Sequence, residues 1–261
     1  MRYTTFASGS GGNCSLLSMD GTHLLLDAGI SCRRIRENLS LSGLTVDQLS
    51  GILLTHEHSD HIAGLATLVK RSDTPIFAPR SVAAHLRRTI AGVERVLNVV
   101  EAGEIFELGG LKLLPFATPH DTEMSVGWRI SGSEVFALST DMGCVTETVR
   151  AGLMGADVVL IEANHDVDML KNGPYPFPLK RRILSDRGHL SNENCGALAL
   201  ELAENGTKHI LLGHLSRENN TPAKAYHAVR TAIEDTSAKV YVAPADERFT
   251  LEYEKEQPCL L

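Results

Sequence analysis

The segment His56-Glu57-His58-Ser59-Asp60-His61 places three imidazoles and the Asp60 carboxylate within six residues. Neutral imidazole and carboxylate are borderline-hard donors that suit zinc, iron or manganese. Four such side chains are more than one structural zinc needs from a single loop, and closed structural sites usually include cysteine. The economical reading is a pair of metal ions that draws further ligands from elsewhere. His120 follows the apolar run 111–117, Asp141 follows 135–139 and His214 follows 209–213, so each closes a segment that reads as a strand. An incidental polar loop would not come with three more donors at three strand ends.

These donors need elements to hold them. The apolar run 51–54 reads as a buried strand and 61–69 as a helix, which makes the cluster a strand-to-helix loop at a strand's carboxyl end. Further strands are expected over 3–7, 14–19, 23–27, 75–78, 96–100, 105–108 and 111–117, then 126–130, 135–139, 158–162, 209–212, 239–243 and 248–253. Helices are expected over 31–38, 81–90, 146–152, 192–204 and 221–233. The last opens with Thr221 as an N-cap hydroxyl and Pro222, whose missing N–H would have had no partner there. Hairpins at 14–27 and 105–117 require antiparallel pairing, which disfavours one continuous doubly wound parallel sheet. Two sheets covered by helices on their outer faces, an α/β fold built as one domain over 1–261, satisfy the pattern.

An apolar fraction of 43% is ample for a core in a chain of 261 residues. The Pro-rich stretch 172–178 is short and interleaved with aromatics, a shaped loop and not a hinge between domains. There is no run long and apolar enough for a membrane span and no secretory leader, so the expected location is the cytoplasm. Cysteines at 14, 32, 144, 195 and 259 form neither an even framework nor a CxxC pair and read as free thiols. A net charge of −7 argues against a broad cationic coat for nucleic acid, but Lys180-Arg181-Arg182 with Arg187 is a local basic strip.

The HxHxDH cluster, with His120, Asp141 and His214 at strand ends, resembles the metallo-β-lactamase superfamily over residues 3–253. The resemblance implies a four-layer αββα sandwich with a binuclear site along one edge between the sheets. It implies that His56, His58 and His120 bind one metal, that Asp60, His61 and His214 bind the second, and that Asp141 bridges them. Seven groups with one shared leave each ion an open position, as catalysis requires. Two ions about 3.5 to 4 Å apart would turn a bridging hydroxide into the nucleophile and stabilise both oxygens of an in-line displacement. Lactam-cleaving members typically carry cysteine or lack a full bridge where this chain has Asp141. Oxygen-reducing diiron members replace the second histidine with glutamate, where this chain has His58. A phosphodiesterase or a thioester hydrolase remains.

The opening 7–14 (Ala-Ser-Gly-Ser-Gly-Gly-Asn-Cys), the segment 188–194 and the segment 214–220 narrow the resemblance to the YycJ/WalJ group, described as metal-dependent nucleases with 5′-to-3′ exonuclease activity on double-stranded DNA. The segments around Glu162 and His189 are similar to those of tRNA 3′-processing relatives. That likeness implies that His189 neutralises phosphoryl charge or protonates the leaving oxygen, with Glu162 orienting it. Asp60, His189 and Glu162 are thus the candidate catalytic side chains. Ser10 and Asn13 in the glycine-rich loop, His165, and Arg217 and Asn219 beside His214 are candidate substrate contacts. The expected activity is a binuclear phosphodiesterase on DNA with two zinc or manganese ions, iron being a third fit. The alternative is a small-molecule hydrolase, acting on a cyclic phosphodiester or a thioester, which the acidic total charge favours.

Overall fold

Residues 1–255 are described by a computed structural model. The first sheet is built from β1 (Arg2–Ala7), β2 (Cys14–Met19), β3 (Thr22–Leu26), β4 (Gly51–Leu53), β5 (Ile76–Pro79) and β6 (Leu97–Val100), with β14 (Phe249–Glu252) added outside β1. The second runs β13 (Lys239–Val242), β12 (His209–Gly213), β11 (Val158–Glu162), β10 (Val135–Ser139), β9 (Ser125–Ser131), β8 (Leu111–Thr118), β7 (Phe106–Leu108). In each, an antiparallel half passes into a parallel half: β3 to β6 are parallel in the first and β10 to β13 in the second. The parallel strands β4, β11 and β12 are almost wholly apolar because helices and the opposing sheet bury both faces. The tight hairpins carry Asp20-Gly21 and Gly109-Gly110, all at positive φ, as two-residue turns between right-twisted strands demand.

The layers follow from three apolar clusters. Tyr3, Leu17, Leu24, Trp128, Phe136 and Leu211 belong to the core between the sheets. On the outer face of the first sheet, α1 (Cys32–Leu41) and α4 (Arg80–Thr89) bury Ile35, Leu39, Val82 and Leu86 against Leu25 and Ile52. On the second, α5 (Glu147–Leu153), α8 (Asn192–Glu204) and α9 (Pro222–Ala232) bury Val149, Leu198, Leu202 and Val229 against Ile161 and Leu212. The result is the four-layer αββα sandwich. Trp128 of β9 ties the sheets together, its Nε1 donating to the Leu54 carbonyl at 3.3 Å, one residue before Thr55.

Two expectations change. The helix expected over 61–69 is two short ones, α2 (Ser59–Ile62) and α3 (Leu65–Val69), broken at Gly64. Gly64 donates to the Ala28 carbonyl at 2.8 Å, and a Cβ there would lie 2.3 Å from the Ile30 carbonyl oxygen, so the chain passes too close for any side chain. The stretch after β11 contains α6 (Val167–Asn172) and α7 (Phe177–Ile183), which flank the shaped loop. Both helices are about two turns long, too short to show a clear 3.6-residue period, although Asp166 caps α6 by accepting from Met169 N at 2.8 Å. No helix among the described residues is long and apolar enough to cross a membrane. Cys14, Cys32, Cys144 and Cys195 are free thiols; Cys259 lies outside the described residues.

Candidate metal centre

Strand ends bring the donors to one edge of the sandwich. The loop after β4 carries His56, His58, Asp60 and His61; β8, β10 and β12 deliver His120, Asp141 and His214; and β11 ends on Glu162. Donor atoms of His56, His58 and His120 lie within 4.8 Å of one another, as do those of Asp60, His61 and His214, and Asp141 groups with His56 and His61. Asp141 lies between the two sets: Oδ2 is 3.2 Å from His61 Nε2, and Oδ1 is 3.7 Å from His120 Nε2 and 3.6 Å from His214 Nε2. Backbone strain accompanies this placement, because Asp27, Asp141 and His214 adopt left-handed conformations with φ near +55°.

Four of the five imidazoles are aimed by a partner on the other nitrogen. His61 Nδ1 is 2.8 Å from Asp27 Oδ2, His56 Nδ1 is 3.0 Å from Thr55 Oγ1, and His120 Nδ1 is 3.3 Å from the Gly188 carbonyl. His214 Nδ1 lies 2.8 Å from Glu162 Oε1. The nitrogens left facing inward are crowded or without hydrogen bonds. His58 Nδ1 and His120 Nε2 are 3.3 Å apart, and His56 Nε2, His214 Nε2 and Asp141 Oδ2 are buried with no hydrogen-bond partner among the described residues. Buried polar atoms without partners are costly. Imidazoles and carboxylates converging in this way fit divalent cations, and partners of this kind fix the orientation of metal-bound histidines.

Charge within the cluster is finely opposed. Burial lowers the His214 pKa, but Asp141, Asp60 and Glu162 outweigh it and push it up to about 10. Burial would raise Asp141, yet His214 and His61 hold it well below the usual carboxylate range. Burial, aided by the nearby His61, drives His56 well below the usual imidazole range. Divalent cations bound here would displace the protons that balance these carboxylates.

Glu162 is the hub of the second sheet's contribution. Fully buried, its Oε1 lies 2.8 Å from both His214 Nδ1 and His189 Nδ1, and its Oε2 accepts from Met142 N and Leu190 N, each at 3.0 Å. Burial would raise its pKa, but His189 and His214 bring it down to about 2. His189 in turn keeps 22% side-chain exposure at the rim of the cluster.

The remaining candidates divide by exposure. Ser10 is exposed, and Arg217 packs against that loop, its Nη2 lying 2.8 Å from where a Cβ on Gly11 would be while also bonding Asp246 Oδ2 at 2.6 Å. Asn13 is buried and braces two candidate ligands, its Nδ2 lying 3.3 Å from Asp60 Oδ2 and 3.0 Å from His61 Nε2. His165 and Asn219 are also buried, and neither ring nitrogen of His165 has a hydrogen-bond partner among the described residues. The basic strip is largely committed. Lys180 donates to the Lys171 and Gly173 carbonyls, Arg187 to the carbonyls of His120 and Thr122, and Arg182 Nε to Asp121 Oδ2 at 2.5 Å.

Sequence reasoning missed Asp27 and Asp121. Asp27 holds Thr55 N at 2.9 Å as well as His61, and the one available signal was its place after Leu24-Leu25-Leu26, a strand end like those of the ligands. Asp121, 3.3 Å from His120 Nε2 and 3.7 Å from His58 Nε2, had no signal beyond standing next to a ligand.

Comparison with known proteins identifies the family. Residues 22–215 match the family described as the beta-lactamase superfamily domain. The chain is 34% identical to the exodeoxyribonuclease YycJ of Bacillus anthracis over 237 residues, 90% of each protein. It is 37% identical to the exodeoxyribonuclease WalJ of Streptococcus pneumoniae over 229 residues, 86% of this chain and 85% of the relative. The crystal structure of the metallo-beta-lactamase fold protein YhfI from Bacillus subtilis superposes with a TM-score of 0.74 at 17% identity, covering 95% of this chain and 98% of that one. The chain therefore belongs to the metallo-β-lactamase superfamily of metal-dependent hydrolases and, within it, to the YycJ/WalJ-like group.

Proposed function

We propose that the protein is a DNA exonuclease, a phosphodiesterase that removes nucleotides from double-stranded ends in the 5′-to-3′ direction. In this reading His56, His58 and His120 hold one divalent ion, Asp60, His61 and His214 hold a second, and Asp141 is shared. Zinc or manganese fits these donors, and iron is a third fit. Bound there, the two ions would acidify water towards neutral pH and stabilise the attacking and leaving oxygens of an in-line displacement.

The observation that carries the reading is the shared carboxylate oxygen of Glu162, 2.8 Å from Nδ1 of both His214 and His189. The same oxygen aims His214, a ligand in this reading, and His189, which lies outside both ligand sets assigned here although its donor atoms also group with Asp141, Glu162 and His214. With Nδ1 held, His189 has Nε2 left to meet a phosphate. There it would neutralise charge or pass a proton to the departing oxygen, a contribution of about 10² to 10⁴ in rate. Asp60 acts as a ligand held by Asn13, while Ser10 and Arg217 are the candidates left facing a polymer. Asn13, His165 and Asn219 shape the site from within. The exodeoxyribonuclease relatives support DNA as the polymer.

The test is cleavage of end-labelled duplexes by the metal-loaded protein, following polarity, product length and salt. Mononucleotide release from 5′ ends, with activity falling steeply as salt rises, is expected of an enzyme that tracks a polyphosphate backbone. Turnover of a small cyclic phosphodiester that duplex DNA does not inhibit would move the assignment to the small-molecule reading, which the net charge of −7 favours.

A further inference from the structure

The geometry points to α7 as a stacking and phosphate-gripping platform for the strand end, with Phe177 taking a base and Arg181 the adjoining phosphate. It rests on the nuclease reading above. Phe177 is 76% exposed, the most exposed large apolar side chain among the described residues. Arg181 stands four residues later in the same helix, so the two share a face. Unlike its neighbours Lys180 and Arg182, Arg181 has no hydrogen-bond or ion-pair partner among the described residues. Residues 171–187 hold five Lys or Arg and one acid, Asp186, within a chain of net charge −7, so this arm is a local positive surface. An exposed ring beside an uncommitted guanidinium matches the pairing of base stack and backbone contact that single-stranded nucleic acid offers.

Its position supports that occupant over others. Arg182 reaches Asp121, which is 3.3 Å from His120 Nε2 and 3.7 Å from His58 Nε2, so one side chain separates α7 from the metal centre. The end of α7 also sets His189, whose N–H donates to the Ile183 carbonyl at 3.0 Å. Phe177 lies five residues before Arg182, about 7.5 Å along the helix. A base on Phe177 would hold the strand end beside the centre, and pairing would have to fray there for the base to leave its stack.

Steady-state cleavage of a labelled duplex with a frayed end by the manganese-loaded full chain tests this. Phe177→Ala should raise KM about tenfold, the size of one lost base stack, with kcat within about twofold, and Phe177→Trp should restore KM. Arg181→Gln should raise KM and flatten the logarithmic salt dependence by about one unit. An unchanged KM in Phe177→Ala, or a Phe177→Trp variant as poor as Ala, overturns the platform while leaving the nuclease assignment intact. So does a Phe177→Ala protein that cuts normally but passes from dimer to monomer in sedimentation, which would make the ring a self-association surface. Absence of any cleavage by the unmodified protein overturns both readings.

Discussion

In the first sheet four candidate ligands share the loop after β4, and their supports Asp27 and Asn13 come from the neighbouring β2 and β3 region; in the second, His120, Asp141 and His214 each come from a different strand end. The strand plan is the same in both, antiparallel strands passing into parallel ones. What differs is how the chain collects its donors. A single loop concentrates them in sequence but depends on local geometry, whereas three strand ends depend on the register of a whole sheet. The two supporting carboxylates show the same contrast. Asp27 holds one ligand, His61, with the loop's Thr55, while Glu162 holds His214 and His189 together.

The largest effect should come from Asp141, the one donor that lies between both sets. Asp141→Ala should lower kcat by about a thousandfold or more, because the electrostatic contribution of paired ions is several kcal/mol. The measurement is duplex cleavage alongside metal content by atomic emission. Full metal content with undiminished rate would remove Asp141 from the centre and weaken the case for the strand-end set.

Chelation tests both sheets at once. Saturating metal at about a thousand times its dissociation constant should stabilise the fold by about 4 kcal/mol relative to the stripped protein. Differential scanning fluorimetry reads this as a rise in Tm on adding zinc or manganese. Because the candidate ligands of the second ion come from both sheets, the rise should be reduced to a similar extent in His61→Ala and His214→Ala. A full shift retained by either variant would mean that one sheet binds metal without the other.

The same contrast explains what could be read from the chain. The loop half was legible because HxHxDH is compact, so no tertiary knowledge was needed to see it. His120, Asp141 and His214 became legible only once the runs before them were recognised as strands. Strand content and layering followed from alternating and continuous apolar runs, since burial on one or both faces leaves that trace. Gly64 was opaque because its role is a close approach to the Ile30 carbonyl, a contact between distant segments. Asp121 and the commitment of Arg187 were opaque for a related reason: a charge's partner across the fold leaves no mark on its neighbours in sequence.

The two supporting carboxylates sharpen the comparison further. Replacing a residue that orients a metal-bound histidine typically costs about 10- to 100-fold in metal affinity or activity. Asp27→Asn should show its loss chiefly in metal affinity, since only His61 and Thr55 depend on it. Glu162→Gln should lose affinity through His214 and lose kcat through His189, so its kcat at saturating metal should fall well below that of Asp27→Asn. Equal kcat values at saturating metal would show that His189 takes no part in turnover.

The smallest effect concerns the joint between the sheets. Trp128 is fully buried in the core they share and spans to the Leu54 carbonyl just below the metal loop, where Val126 N also donates to the Thr55 carbonyl at 3.1 Å. Trp128→Phe keeps an aromatic ring but leaves the Leu54 carbonyl without its donor, at a cost of about 1 to 3 kcal/mol. Urea unfolding should report that loss. If the loop's geometry is set by its own bonds to Asp27 and Asn13, activity at saturating metal should change little. If it falls as far as in Asp27→Asn, then the loop that looks self-contained in sequence is positioned from the opposite sheet, and the two halves differ less than their ligand spacing suggests.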